Sequence, residues 1–484
     1  MTKKGAGGAK RGATRGRGAK RGGSVRAKGA AASSTNASSN AVSPARRAAF
    51  EILRRVEEEG AFAAPLLASL SVELDPEDRA LCHELVLGVL RRQLWLDRAL
   101  AHFSARAPDA LDTPVRLALR LGLYQLRFLT RTPAHAAVNE SVNIVHAARL
   151  RSAAPLVNAV LRRATREPDY DPAASATDAF ERIAVETSHP AWLIERWAEA
   201  FGLEETHAFA RANNEPAPVA FRVNSLRADS ASLIERIRNA GAGIVASRVA
   251  PDAWRVEESG GGASSALLRA LAAEGAIYMQ DEASQLVAHV LDARAGERVL
   301  DACAAPGSKT THLATLMRDA GLVVAGDVHQ HRLRVVSESA ARQGLTCVRA
   351  VAIDAEASLP FAPASFDRVL VDAPCTGTGT LRHNPEIRWR ITPPDIAELA
   401  ARQLRILVNA ATLVRAGGRL VYSTCSVERE ENESVVVQFL KDAQGFEQVA
   451  ARPARVLAGT GAARTWPHRE GADGFFVAAF ERRK

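Results

Sequence analysis

The chain has 484 residues, more than one hydrophobic core normally supports, so its length predicts two to four domains. Apolar residues make up 47% and charged residues 24%, as in globular proteins, and the absence of an 18-residue apolar run excludes a membrane span. The five cysteines are widely separated and lack a C-x-x-C pair, which excludes a disulfide framework and a zinc site and fits a reducing cytoplasm.

Residues 1–42 are predicted to be a disordered basic tail. They hold ten of the 63 basic residues and no acidic residue, so the rest of the chain is close to neutral although the formal net charge is +9. The tail has one aliphatic residue larger than alanine before residue 40, Val25, and therefore lacks the apolar region of a signal peptide. We expect it either to bind RNA nonspecifically or to be a solvated extension.

Residues 43–165 carry apolar side chains at helical spacing and predict an all-α domain. A helix should begin at Ser43-Pro44, where a capping hydroxyl precedes a proline. Further helices are predicted over residues 85–96, 115–126, 136–147 and 156–163. The composition of residues 166–179 predicts a linker.

Residues 180–285 predict a small α+β domain, because helical and strand patterns are mixed there. The expected elements are a helix that starts at 189–193, a strand at 219–224, a helix at 232–240 and a glycine-rich loop at 260–262. A helix that opens at 282–286 leads into the next domain.

Residues 286–484 predict the main α/β domain. Strands and helices alternate, which predicts a Rossmann-like, parallel, doubly wound sheet. The expected strands begin at 299 and cover 322–327, 348–353, 366–371, 420–422 and 474–480, and the expected helices include 333–343 and 397–414.

The turn after the first of these strands predicts a ligand site, because its small residues let a ligand approach backbone N–H groups. It is not a phosphate-binding loop, since Ala302 stands where that loop has glycine, and it is not a G-x-G-x-x-G turn. Asp327 follows Gly307 by 20 residues, a spacing typical of a carboxylate that binds ribose hydroxyls. A nucleoside-type ligand is indicated, and a purely structural turn is the alternative.

Polar residues follow the strands of the predicted sheet, where doubly wound folds bind their ligands. They are Asp327, Asp354, Asp372, Cys375 and Cys425. The two cysteines lack a histidine pair at metal-ligand spacing, and a cytoplasmic protein rarely forms disulfides. Nucleophilic catalysis and inert buried thiols remain as alternatives.

Three segments together resemble the RNA 5-methylcytosine methyltransferase family, the Sun group. They are D-A-C-A-A-P-G-S-K-T at 301–310, D-A-P-C-T-G-T-G at 372–379 and S-T-C-S at 423–426. Residues 43–165 resemble the NusB-like RNA-binding helical domain, in the stretches at 78–81, 85–92, 139–142 and 156–158. The combination implies an S-adenosylmethionine-dependent enzyme that forms 5-methylcytosine in small-subunit (16S) ribosomal RNA.

The resemblance also implies a role for each matching residue. Cys425 would be the nucleophile that adds to cytosine C6, Cys375 would assist product release, and Asp372 would bind the pyrimidine edge. The cofactor would be held by Asp327 at the ribose, by Asp354 near the adenine, by Asp372, and by the backbone of Cys303, Ala304, Ala305, Pro306, Gly307, Ser308 and Lys309. Ser308 replaces a glycine common in the family and is expected to cap the following helix.

The segment H-N-P-E-I-R-W supplies further RNA-contact candidates. Arg382 and Arg388 could bind phosphate and Trp389 could stack on a flipped base, or the segment could be an ordinary packed loop. The expected enzyme is a cytoplasmic monomer that binds ribosomal RNA, no membrane and no metal.

Alternative functions remain open at this point. They are a methyltransferase of tRNA or another RNA, a DNA cytosine methyltransferase with Cys375 as its nucleophile, and a non-catalytic RNA-binding ribosome assembly factor.

Overall fold

The computed structural model describes residues 41–258, 262–456 and 461–484. Residues 1–40 of the predicted tail, and Gly260 and Gly261 of the predicted loop, lie outside the described residues. Within the described ranges, no helix is both long and apolar enough to cross a membrane.

The first domain is all-α, as the sequence predicts. Its helices are α1 (Pro44–Glu58), α2 (Ala63–Leu70), α3 (Pro76–Arg91), α4 (Gln93–Ser104), α5 (Thr113–Phe128), α6 (Ala134–Ala147) and α7 (Ala154–Arg166). They enclose one apolar core to which α1, α3 and α5 contribute Ile52, Leu85 and Leu121, each fully buried. The short helix α2 was not predicted.

Two expectations for this domain are wrong. The helix predicted over 85–96 is broken, because Arg92 leaves helical geometry and donates to the carbonyl of Glu186 at 3.2 Å. Ser43 does not cap α1; its hydroxyl instead accepts a hydrogen bond from Arg46 at 3.0 Å. The Arg92 contact spans 94 residues, whereas Arg46 is three residues from Ser43. Helix α1 nevertheless begins at Pro44, as predicted.

The segment predicted as a linker packs against the helical domain. Tyr170 stacks on His102 with ring centroids 3.9 Å apart, and a short 3-10 turn at Pro172–Ser175 buries Pro172 and Ala173. Apolar contacts of this kind fix the direction in which the chain leaves the first domain.

The middle region contains a helical part and a small sheet. Its elements are α8 (Ala179–Thr187), α9 (Ala191–Phe201), α10 (Leu203–Ala212), β1 (Val219–Val223), α11 (Ser230–Asn239), β2 (Gly243–Ala246), β3 (Ala253–Glu258), α12 (Gly262–Ala273) and β4 (Ile277–Met279). The sheet is antiparallel, in the order β2-β3-β1-β4, and Phe221, Leu233 and Ile237 form part of its core. The prediction of a small α+β domain is confirmed.

The last domain contains a large mixed sheet. Its elements are α13 (Glu282–Leu291), β5 (Arg298–Asp301), α14 (Ser308–Leu316), β6 (Leu322–Asp327), α15 (Gln330–Gln343), β7 (Val348–Ala352), β8 (Phe366–Asp372), α16 (Ile387–Arg390), α17 (Pro393–Ala411), β9 (Val414–Thr424), α18 (Val435–Asp442), β10 (Phe446–Val449), β11 (Ala463–Thr465) and β12 (Phe475–Arg482). The strand order is β10-β12-β9-β8-β5-β6-β7, with β11 paired to β12.

Strands β5 to β9 are parallel, which confirms the doubly wound α/β prediction. The last strand departs from it, because β12 runs antiparallel to both β9 and β10. Helix α18 carries the chain to the edge strand β10, and β12 returns between β10 and β9. The strand order reverses between β5 and β8, so the carboxyl ends of the parallel strands form a crevice there.

The helix predicted over 397–414 ends earlier, at Ala411, and Gly417 and Gly418 lie inside β9. Phe366 pairs with Val414 and Arg368 pairs with Arg419, so the segment between Val414 and Arg419 bulges out of the ladder. Gly417 has φ of 72°, which suits this irregular strand start better than a helix end.

Candidate active site

The turn after β5 is shaped by hydrogen bonds between main-chain groups. Ala304 N donates to the carbonyl of Gly326, and Gly307 N donates to the carbonyl of Ala304, each at 2.7 Å. Gly307 has φ of 101°, and a Cβ there would lie 3.1 Å from Cα of Val336. Only glycine fits this backbone without strain.

The expectation that Ser308 caps the helix is wrong. Gly307 occupies the N-cap position of α14 and Ser308 is the first helical residue. Because glycine has no side-chain acceptor, the first N–H groups of α14 have no side-chain cap from that position.

A cavity of about 340 Å³ opens at the carboxyl ends of the parallel strands. It brings together many of the residues that the sequence singled out: Cys303, Ala305, Asp327, Asp354, Asp372, Cys375 and Cys425 all line it. The other residues of the predicted cofactor loop, Ala304, Pro306, Gly307, Ser308 and Lys309, belong to the adjoining turn and helix start. The cavity size is within the range of small-molecule sites.

Two carboxylates line one side of the cavity. Asp327 ends β6 and is almost fully buried, and its carboxylate accepts from the N–H of His329 at 2.9 Å. Arg332 lies 3.5 Å from its other oxygen. Asp354 follows β7, is exposed, and accepts from the N–H of Glu356 at 2.9 Å. Both carboxylates are therefore oriented by main-chain donors close in sequence.

A third carboxylate that lines the cavity, Asp372, forms an ion pair with a lysine. Lys309 Nζ lies 2.7 Å from one oxygen of Asp372, and Ser423 Oγ donates to the other at 2.7 Å. Burial lowers the pKa of Lys309, but the attraction of Asp372 outweighs it and the net pKa is raised. The ammonium group is therefore charged at neutral pH. From the sequence we predicted only a backbone role for Lys309. A lysine among small residues at a helix start could have indicated that its side chain also has a role.

The two predicted catalytic cysteines face each other, with Cys375 Sγ 3.3 Å from Cys425 Sγ. The hydrogen bond to Cys425 raises the pKa of Cys375 well above its ordinary value, and burial adds to the rise. Burial likewise raises the pKa of Cys303, with further increases from Asp301 and Asp372. Neither Cys375 nor Cys303 forms a thiolate readily in this state.

The structure contradicts the expectation that Arg382 and Arg388 contact RNA phosphate. Both side chains are buried. Arg382 donates to the carbonyl of Pro467 at 2.9 Å, and Arg388 donates to the carbonyl of Ser188 at 3.0 Å. Their positive charge is used to satisfy carbonyl groups that would otherwise be buried without partners.

The same segment joins the main domain to the helical domain, and we call residues 381–391 the junction segment. Trp389 is half-buried in a crevice that Leu53 and Val56 of α1 also line, which agrees with the packed-loop alternative. Glu386 accepts from the N–H of Ala63 at 2.8 Å, and Arg390 donates to the carbonyl of Ala61 at 2.6 Å. These contacts join residues more than 300 positions apart, so the local sequence pattern could not predict them.

Asp281, His383 and Asp473 form a cluster beside the junction segment, with possible ligand atoms within 4.8 Å of one another. Burial and the neighbouring Asp473 raise the pKa of Asp281 to about 7, and His383 Nε2 lies 3.4 Å from Asp473. Burial lowers the pKa of His383, but the attraction of Asp473 and Asp281 outweighs it and the net pKa is raised.

Comparisons with known proteins agree with this architecture. Residues 288–481 match the family described as 16S rRNA methyltransferase RsmB/F, residues 43–166 match the NusB family, and residues 189–261 match the RsmF/B-like ferredoxin-like domain. The chain is 37% identical over 449 residues to the probable ribosomal RNA small subunit methyltransferase B of Bacillus subtilis, covering 90% of this chain and 98% of that protein.

Two solved structures are also similar. The crystal structure of PH0851 has a TM-score of 0.77 and 29% identity, and the match covers 91% of this chain and 99% of that one. A methyltransferase homolog protein from Pyrococcus horikoshii has a TM-score of 0.55 and 30% identity, with 64% of this chain and all of that chain covered.

Proposed function

We propose that this chain, which belongs to the 16S rRNA methyltransferase RsmB/F family, forms 5-methylcytosine in small-subunit ribosomal RNA. The observation that supports this most strongly is the thiol pair: Cys375 Sγ and Cys425 Sγ are 3.3 Å apart in the cavity that Asp327 and Asp354 also line. A nucleoside-type site and a nucleophilic site are thereby neighbours in one crevice, as a group transfer to a pyrimidine requires.

The residues present fit S-adenosylmethionine as the methyl donor. Asp327 can accept from ribose hydroxyls and Asp354 lies where the adenine end would be bound, while Asp372 and the backbone of 303–309 border the methionine end. When bound, this cofactor supplies an electrophilic methyl group. Its sulfonium is a cation, which suits a cavity lined by carboxylates and a turn that lacks the phosphate-binding patterns.

Cys425 acts as the nucleophile in this proposal. Its thiolate forms a bond to C6 of the cytosine, which makes C5 electron-rich enough to accept a methyl group. After methylation the C5 proton is lost to a base, the bond between Sγ and C6 breaks, and Cys425 leaves as a thiolate. Cys375, 3.3 Å away, is positioned to assist this release.

Lys309 and Asp372 orient the base and stabilise charge. The Asp372 carboxylate can only accept hydrogen bonds, so it suits the exocyclic amine of cytosine. Addition of a thiolate places negative charge on the pyrimidine ring, and the Lys309 ammonium, 2.7 Å from Asp372, supplies the positive charge that stabilises it. The two side chains therefore have different roles: Asp372 accepts a hydrogen bond and Lys309 supplies a positive charge.

Methyl transfer to unmodified small-subunit ribosomal RNA tests this function. The full chain is incubated with methyl-labelled S-adenosylmethionine and the RNA, and the nucleosides are analysed. We expect label in 5-methylcytidine at one position. Label in tRNA but not in ribosomal RNA would change the substrate, and RNA binding without methyl transfer would favour an assembly factor.

Covalent capture on RNA that contains 5-azacytosine tests the nucleophile. We expect Cys375→Ala to form the trapped adduct and Cys425→Ala to form none. The reverse result would make Cys375 the nucleophile, as in the DNA cytosine methyltransferase alternative.

One chain carries all the groups used in this mechanism, so we also propose that the enzyme acts as a cytoplasmic monomer without a metal. Light scattering of the active protein measures the first property, and methyl transfer after dialysis against a chelator measures the second. A dimer that loses activity on dilution, or activity restored only by a divalent ion, would contradict these points.

A further inference from the structure

Glu431 is a buried carboxylate shared by the two loops that carry the thiols. It lies in the π-helical turn Glu430–Ser434 just before α18, and none of its surface is exposed. It accepts hydrogen bonds from Thr376 N at 2.9 Å, from Thr376 Oγ1 at 2.5 Å, from Gln403 Nε2 at 2.8 Å and from Ser426 Oγ. Neither the motif comparison nor the proposed mechanism uses this residue.

The donors to Glu431 are the immediate neighbours of the thiols. Thr376 follows Cys375 and Ser426 follows Cys425, and their two hydroxyl oxygens are 3.1 Å apart. The Glu431 carboxyl group therefore bonds the residue that follows each cysteine. Glu431 is 55 residues after Thr376 and five residues after Ser426. The sulfur atoms of the two cysteines that precede these residues are 3.3 Å apart.

Gln403 holds the same anchor from a third direction. Its amide donates both to Glu431 at 2.8 Å and to the carbonyl of Pro374 at 2.9 Å, the residue before Cys375. The Tyr422 hydroxyl donates to the amide oxygen of Gln403 at 3.0 Å. Thus the backbone on both sides of Cys375 is held by groups that meet at Glu431.

Four donors surround the Glu431 carboxyl group. Oε1 accepts from the backbone N–H of Thr376 and the amide NH₂ of Gln403, which can only donate, and Oε2 accepts from the hydroxyls of Thr376 and Ser426. Burial raises the pKa of Glu431, and the hydrogen bonds from Ser426 and Thr376 reduce that rise without cancelling it. A negative charge at this position raises the pKa of Cys375, after the larger effects of Cys425 and burial.

We propose that Glu431 is a positioning residue that sets the distance between the two thiols and keeps Cys375 protonated, so that Cys425 alone supplies the attacking thiolate. This inference rests on the proposed function for the identity of the nucleophile. It assigns different roles to two chemically identical side chains that are held by one buried carboxyl group. The protonated thiol of Cys375 can then donate its hydrogen bond to Cys425 Sγ.

The direct test measures the reactivity of Cys375 without any RNA. In a Cys425→Ala background, the rate of alkylation of Cys375 by iodoacetamide is followed against pH, with mass spectrometry to assign the site. We expect Glu431→Gln to lower the midpoint of this profile by about one pH unit, because a neutral amide no longer opposes the thiolate. An unchanged midpoint in a folded variant would overturn the charge role.

Glu433→Gln is the matched control. Glu433 lies in the same π-helical turn but pairs with Arg464 at 2.8 Å instead of with the thiol loops. The same carboxylate-to-amide change should therefore leave the alkylation midpoint where it was. An equal shift in both variants would attribute the effect to general charge and contradict the proposal.

The positioning role has a separate readout in methyl transfer. Ser426→Ala removes one donor and retains the charge, so it remains informative if Glu431→Gln folds poorly. We expect kcat to fall about 10-fold in Ser426→Ala and about 100-fold in Glu431→Gln, with an unchanged Kd for S-adenosylmethionine. Wild-type kcat in both variants would overturn positioning. Alkylation needs no methyl transfer, so failure of the proposed function is distinguishable from failure of this inference.

Discussion

The two sides of the cavity are held in different ways. On the cofactor side, Asp327 and Asp354 accept from N–H groups only two residues further along the chain. On the thiol side, the contacts join residues far apart in sequence: 50 residues between the two cysteines and 29 between Gln403 and Pro374. The first side is built by local turns and the second by the assembled fold.

This difference has an energetic consequence. A local turn orders few residues for each hydrogen bond, whereas a long-range contact forms only when the intervening chain is already folded. Small distortions of the packed core should therefore disturb the thiol side first. Cofactor binding should persist in variants that have lost methyl transfer.

Removal of Cys425 should separate the two sides most sharply. We expect Cys425→Ala to reduce methyl transfer at least about 1,000-fold, because the nucleophile is lost. The Kd for S-adenosylmethionine, measured by calorimetry, should stay the same because Asp327 and the turn are untouched. A parallel loss of cofactor affinity would show that the two sides are not independent.

The next effect concerns Asp301, which ends β5 between the two sides. It is fully buried, accepts from Thr310 Oγ1 at 2.7 Å, and burial raises its pKa from 3.8 to about 7. The folded state thus holds this proton to higher pH than the unfolded state does. The free energy of unfolding should fall as pH rises from about 4 to 7.

Asp301→Asn measures this contribution. Asp281 titrates in the same range, so the quantity of interest is the difference between the wild-type and variant slopes. We expect urea titrations to show that the variant loses about 2–4 kcal/mol less stability than wild type between these pH values. Identical slopes would contradict the raised pKa.

A steric change at Gly379 should affect the thiol side to a smaller degree. Gly379 N donates to the carbonyl of Cys425 at 2.9 Å, and a Cβ on Gly379 would lie 2.0 Å from the carbonyl oxygen of Gly474. We expect Gly379→Ala to lower the free energy of unfolding by about 1–3 kcal/mol. Gly445→Ala is the control, because its Cβ would meet no atom within 4 Å.

The smallest expected effect is on the cofactor side. Asp327→Asn should raise the Kd for S-adenosylmethionine about 10-fold, since hydrogen bonds to a charged acceptor are worth more than those to an amide. Asp354→Asn should have a weaker effect because Asp354 is exposed. Both variants should still capture 5-azacytosine RNA. Loss of capture would contradict the independence of the cofactor side and the thiol side.

The sequence predicted that polar residues at the strand ends come together, and they line one cavity. Strand-end acids are visible because hydrophobic runs stop at them, as at Asp327 and Asp372, and the parallel sheet then brings those ends together. Cys375 and Cys425 were found in the same way.

What could not be predicted depends on three-dimensional packing. Nothing in the pattern E-E-N-E distinguishes the fully buried Glu431 from Glu430 and Glu433, which are only partly buried. Arg382 and Arg388 have the composition of a nucleic-acid contact, yet they satisfy buried carbonyls. The partner of a charged side chain can be identified only when the positions of the surrounding helices and strands are known.

The junction segment also has a consequence for synthesis of the protein. Ala63 in the helical domain finds its acceptor on Glu386, 323 residues later in the chain. At about 5–20 residues per second, the ribosome needs roughly 15–65 s to make that stretch. The helical domain is therefore synthesised long before the junction segment that it packs against. During that interval the face formed by α1 and α2 is accessible to other partners.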